Sequence, residues 1–151
     1  MPLPKFIHLR VHTSYSLSEG AVRPEDVSKI AVKNEMPAVA VSDSGNLFGL
    51  LEISSACYKS GVQLIPACEV ELVSDRENSK KKVLGKLVIL AKNEQGFLNL
   101  LKISSESFFN SNDHTKPNIL IEELIDNKSG LIVLTGGYDG VLYNLLRDGQ
   151  T

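Results

Sequence analysis

Apolar and polar positions divide the chain into alternating short elements. Phe6-Ile7-His8-Leu9-Arg10-Val11 predicts a short strand of mixed faces, followed by a polar loop over 12–20. Arg23-Pro24-Glu25-Asp26 predicts a helix start, because proline suits the first turn and carboxylates there complement the helix dipole. Val27, Ile30 and Ala31 follow at i, i+3 and i+4, and Pro37 ends that helix. Ala38 to Val41 is a continuous apolar run closed by Ser42-Asp43-Ser44-Gly45, which predicts a strand buried on both faces. Over 47–60, Leu50, Leu51, Ile53, Ser54, Cys57 and Tyr58 fall at helical spacing, with Gly61 as the C-terminal cap. Strands are predicted at 62–73, 87–91 and 131–134. Helices are predicted at 94–109, on Phe97, Leu100, Leu101, Ser104 and Phe108, and from Val141 to Arg147, with room for a short helix within 119–127. The charged stretch 74–82 and residues 110–118 read as loops.

Strands alternating with helices predict an α/β protein with a mainly parallel sheet, the helices serving as crossovers. The pattern does not separate an open sheet from a barrel. A length of 151 residues suits one domain, and 42% hydrophobic residues exclude disorder over the whole chain. No apolar run reaches the ~18–20 residues of a membrane span, and the opening MPLPKFIHLRVH has no charged segment followed by a long apolar one, as a secretory signal would. A cytoplasmic location without membrane contact is expected. A net charge of -2 gives no global attraction to nucleic acid. Cys57 and Cys68 are too few for a disulfide scaffold and too far apart for a zinc knuckle, so two reduced, buried thiols are expected. The chain stops in or just after a helix with no closing motif, which reads as a fragment of something longer.

Polar residues gather just after the predicted strands: His8 and His12 at the first, Asp43 after the second, Glu69 on the third. Sites in α/β folds form outside the carboxyl ends of parallel strands, so His12, Asp43 and Glu69 are candidates for one mouth. Imidazole with carboxylates suits zinc or manganese. Local turn chemistry explains the same residues as readily, since Asp in Ser-Asp-Ser-Gly commonly caps a turn. Arg10 favours a third outcome. It shares a strand face with His8 and His12, repels a dication, and would pair with Asp43 or Glu69 instead. Weaker candidates are Gly136-Gly137-Tyr138-Asp139-Gly140, which lacks either phosphate-loop signature and reads as a turn, and Lys80-Lys81-Lys82 with Lys86, which reads as a solvated face. Ser14, Ser16 and Ser18 lack the nucleophile-elbow pattern of a hydrolase.

Five separated blocks, in order, resemble one family. FIHLRVHTSYSLSEG (6–20) is similar to the opening of bacterial replicative polymerases of the DNA polymerase III alpha type, within their PHP (polymerase and histidinol phosphatase) domain. MPAVAVSDSGNLFG (36–49), GVQLIPACE (61–69), LVILAKNEQGFLNL (87–100) and GLIVLTGG (130–137) resemble later blocks of the same domain. The resemblance implies the N-terminal part of a distorted (β/α)7 barrel, with residues 1–151 as its first portion. In many members that barrel binds a metal cluster and trims DNA 3′ ends; in others it has lost the metals and serves as scaffold and docking surface for a separate proofreading exonuclease subunit.

The family's ligand positions carry over one by one. Its His-x-His is Arg10-Val11-His12 here, its acid before the loop glycine is Glu19, its Asp-His pair is Asp43-Ser44, and its third-strand glutamate is Glu69. The histidine before the fourth strand is Lys86 and the later cysteine is Gly137. Two of the four replacements are cations. The resemblance therefore implies a vestigial site at Arg10, His12, Glu19, Asp43, Ser44, Glu69, Lys86 and Gly137, with no catalytic residue and no metal expected. His12, Glu19, Asp43 and Glu69 would be the ligands if zinc or manganese were held. Magnesium would serve the parent polymerase, whose partners are DNA and the other polymerase III subunits, the exonuclease subunit first among them.

Overall fold

A computed structural model describes residues 6–75, 83–111 and 117–149. Proline at its start and Glu25 and Asp26 in its first turn open α1 (Pro24–Lys33) as expected. The chain then runs through β1 (Ala38–Ser44), α2 (Leu50–Lys59), β2 (Gln63–Val73), β3 (Val83–Ala91), α3 (Glu94–Phe109), β4 (Asn118–Ile119), α4 (Ile121–Asp126), β5 (Leu131–Leu134) and α5 (Val141–Arg147).

The strands form one mixed sheet in the order β1-β2-β3-β5, with β4 pairing β2 off that path. β1 and β4 run parallel to β2, and β3 runs antiparallel to both β2 and β5. Four strands therefore share one direction and β3 opposes them. The mainly parallel expectation holds for those four strands; β3 is the exception, lying antiparallel between β2 and β5.

One expectation shifts. Residues 6–12 form no regular strand, although they lie along β1: Ala40 N–H donates to the His8 carbonyl at 2.9 Å and Ser42 N–H to that of Val11 at 2.8 Å. Three residues on one side span two on the other, so the pairing slips out of register. The short helix expected within 119–127 is present as α4, which follows β4.

Alternation along the strands produces two unlike faces. Toward the helices, Cys68, Val70, Leu72, Leu87 and Ile89 pack on Leu100 and Ile103 of α3, and Val39 and Val41 pack with Val27, Ala31, Ile53 and Cys57 of α1 and α2. Each fully buried aliphatic side chain contributes about 1.5–3 kcal/mol. Both cysteines are free and buried, as expected. The opposite face is built from smaller side chains, with Ala40 and Ala67 beside Val88 and Leu90. α3 is capped by Asn93, whose side chain accepts from Gly96 N–H at 2.9 Å. Gly96 lies so close to the turn before β5 that a Cβ there would stand 1.8 Å from the Gly130 carbonyl oxygen, so only glycine fits.

Candidate metal centre

The small-residue face carries the polar site at its upper end. In the β1–β2 register Ser44 faces Glu69 and Asp43 faces Cys68. Ser44 and Glu69 therefore emerge together on the site side, while Asp43 emerges on the helix side with Cys68. Lys86 joins Ser44 and Glu69 from β3, Arg10 and His12 come from the segment lying along β1, and Glu19 from the loop that follows.

Glu69 is the centre of the group. Its side chain is only 1% exposed. Oε2 meets Arg10 Nη2 at 2.6 Å and His12 Nε2 at 3.5 Å, and Oε1 meets Lys86 Nζ at 3.0 Å. Burial alone would raise its pKa. Contact with His12 and Lys86, with the charges of Lys86 and Arg10, outweighs burial and holds the carboxyl at about 2. Glu19 accepts from Ser44 Oγ at 2.5 Å and lies 3.2 Å from Lys86 Nζ and 3.4 Å from His12 Nδ1. The Ser44 hydrogen bond is the largest influence lowering the Glu19 pKa, with Lys86 adding to it. Partial burial pulls the Lys86 pKa down, but Glu69 and Glu19 together raise it above its ordinary value. Lys86 is thus held charged among carboxylates.

Asp43 takes a different role from the one its neighbours in sequence suggested. Its Oδ1 accepts from Thr13 N–H and from Ser16 Oγ, both at 2.6 Å, and its Oδ2 accepts from Thr13 Oγ1 at 2.7 Å. Thr13, Ser16 and Asp43 are all buried. The carboxylate clamps the loop that carries Glu19, and Ser16 Oγ in turn accepts from Ser44 N–H at 3.1 Å. Of the serines noted in the sequence, Ser16 is therefore a tether.

Asp139, from the turn after β5, was not among the predicted site residues. Its Oδ2 lies 3.6 Å from Arg10 Nη2 and 3.8 Å from Lys86 Nζ. The signal in the sequence was an acid inside a glycine-rich turn after a strand, which a search for phosphate signatures passes over. Gly137 stands nearby: a Cβ there would lie 3.8 Å from Arg10 Nη1. Lys80, Lys81 and Lys82 lie outside the described residues.

Could these residues hold a metal? Ligand atoms of His12, Glu19 and Glu69 lie within 4.8 Å of one another, the donor set of a three-ligand site. The same carboxylates are engaged by Lys86, and Glu69 by Arg10 as well. An ion placed among the three donors would compete with an ammonium and a guanidinium for their charge. Three carboxylates face two fixed cations, so the two cations balance the charge of the two candidate ligand acids, Glu19 and Glu69, and Asp139 leaves a net charge of −1. The residues as they stand do not fit a cluster of several ions.

The chain matches the PHP domain family model over residues 8–151, and it belongs to that family. Among proteins of known name, it is similar to the DNA polymerase III subunit alpha of Caulobacter vibrioides, with 37% identity over 97% of this chain, and to that of Buchnera aphidicola from Acyrthosiphon pisum, with 36% identity over 98%. In each case the chain spans 13% of the relative's length, matching its N-terminal region. Among solved structures, an amidohydrolase from Chromobacterium violaceum shows 21% identity and a TM-score of 0.45, over 68% of this chain and 34% of that one. No described helix is long and apolar enough to cross a membrane.

Proposed function

We propose that this region is a metal-free PHP domain of a replicative DNA polymerase III alpha subunit, acting in the cytoplasm as scaffold and as docking surface for a proofreading exonuclease subunit. It would form the first part of a distorted (β/α)7 barrel. DNA synthesis and its magnesium would belong to chain beyond these residues. The observation that carries the reading is the pair of cations on Glu69: Arg10 at 2.6 Å and Lys86 at 3.0 Å, at two of the positions where the family resemblance places histidines. A phosphoesterase of this kind needs a metal to generate hydroxide at neutral pH. Here the acids that would hold the metal are already neutralised, so the region has no means to activate water.

One observation favours a second reading, an active metal-dependent phosphoesterase with a reduced site. It is the close grouping of His12, Glu19 and Glu69, which suffices for a single zinc. The test uses the full-length alpha chain containing this sequence. Metal content by elemental analysis and hydrolysis of a 3′-labelled oligonucleotide are measured together. The proposal expects substoichiometric zinc and manganese and no hydrolysis. One bound ion per chain, with manganese-stimulated hydrolysis abolished by Glu69→Gln, overturns it in favour of the second reading. The combined Arg10→His, Ser44→His and Lys86→His variant is expected to gain metal binding. Docking is read separately, by co-elution of the exonuclease subunit with the same chain.

A further inference from the structure

We propose that Asp139 is an electrostatic latch that closes the turn between β5 and α5 onto the two cations, so that this turn, β3 and the N-terminal segment hold together as one unit. The inference rests on the reading that Arg10 and Lys86 occupy this site as permanent cations. It goes beyond that reading by assigning a role to a residue outside the family's ligand positions.

The backbone places the carboxylate before the side chain acts. Lys86 N–H donates to the Asp139 carbonyl at 2.9 Å, and Lys86 bridges Gly140. Gly136 packs directly on β3, where a Cβ would stand 2.3 Å from the Lys86 carbonyl oxygen. Further along, the Asn144 side chain donates to the Leu84 carbonyl at 3.0 Å. The turn is therefore seated on β3 by main-chain contacts. Among the described residues, the turn's polar link to the N-terminal segment is the Asp139–Arg10 pair, with Gly137 leaving room beside the guanidinium.

The charges make the link specific. Glu69 engages Arg10 and Lys86 from below, and Asp139 Oδ2 approaches the same two groups at 3.6 and 3.8 Å. Its Oδ1 is buried with no hydrogen-bond partner, so the carboxylate is not held by the turn itself. What keeps it turned inward is the field of the two cations. Because Asp139 is 29% exposed, this field is partly screened, and added salt weakens it further.

Hydrogen–deuterium exchange on the full-length alpha chain tests the latch. Asp139→Asn, which keeps the shape and removes the charge, is expected to raise local opening about three- to fivefold. The increase is expected in two places at once, the 136–144 turn and residues 8–13, while α2 and α3 stay unchanged. Raising the salt concentration is expected to do the same to the natural sequence and little more to the Asn variant. Asp139→Glu is expected to restore part of the protection, and Arg10→Met to reproduce the loss in the turn. A rise confined to 136–144, or an Asn variant that keeps the full salt response, overturns the proposal. Metal content of the same preparation reports separately on the metal-free reading: a bound ion overturns that reading, whereas the exchange pattern decides the latch.

Discussion

Removing the Asp43 carboxylate separates a structural clamp from a metal ligand. In Asp43→Ala, Thr13 N–H loses its acceptor at a position with no solvent access, and the hydroxyls of Thr13 and Ser16 lose theirs. A hydrogen bond to a charged group contributes about 1.5–3 kcal/mol, and a buried donor left unpaired costs about 1–3 kcal/mol. The three bonds share one acceptor group and do not add fully, which sets the expected loss at about 3–5 kcal/mol. Asp43→Asn should cost less, about 1–2 kcal/mol. Its amide oxygen can still accept from Thr13 N–H and Ser16 Oγ, while its amide nitrogen turns to Thr13 Oγ1, which accepts in place of donating. Urea unfolding followed by circular dichroism, in EDTA and again with excess manganese, measures both variants against the natural sequence. The clamp predicts the order Ala worse than Asn, with the same losses in both media. A loss below about 1 kcal/mol for Asp43→Ala, or one that appears only with manganese, would refute the reasoning and return Asp43 to the ligand set.

Acid unfolding should depend on Glu69. Its folded pKa of about 2 lies below the ordinary 4.5, so its contribution is complete above pH 4.5 and is lost as the pH falls toward 2. By linkage this amounts to at most about 3 kcal/mol; Glu69→Gln should flatten the stability–pH curve over that window, and an unchanged slope would count against the ion-paired site. Gly96→Ala should destabilise despite alanine's better helix propensity, worth about 1 kcal/mol. Its methyl meets the Gly130 carbonyl and forces α3 off the sheet, at an expected net cost of about 2–3 kcal/mol in urea unfolding; a stabilised variant would show that α3 does not sit where described.

Much of the fold was legible because the signals are local. Pro24 with its following acids and the helical spacing of Phe97, Leu100, Leu101, Ser104 and Phe108 specify helices wherever they occur in a chain. The apolar runs of β1, β2, β3 and β5 are similarly self-contained. The reversed direction of β3 was harder to read, since strand order and direction depend on what pairs across space. The first segment looked like a strand by composition and became irregular because its pairing with β1 slips.

The site divides along the same line. Residue identities alone put a guanidinium and an ammonium where the family resemblance places imidazoles, and they implied an internal ion pair, since charge belongs to the side chain wherever it lies. Which acid receives those cations was decided by register. Asp43 and Ser44 are adjacent in sequence, but a strand turns neighbours to opposite faces, so only Ser44 reaches Glu69 and Asp43 is left to hold the loop. Asp139 depended on tertiary structure altogether: its partners Arg10 and Lys86 are distant in sequence, and only the seating of one turn on β3 brings the three charges within 4 Å. Local periodicity and side-chain chemistry were thus written in the chain itself, while the partnering of charges had to wait for the sheet to set which faces meet.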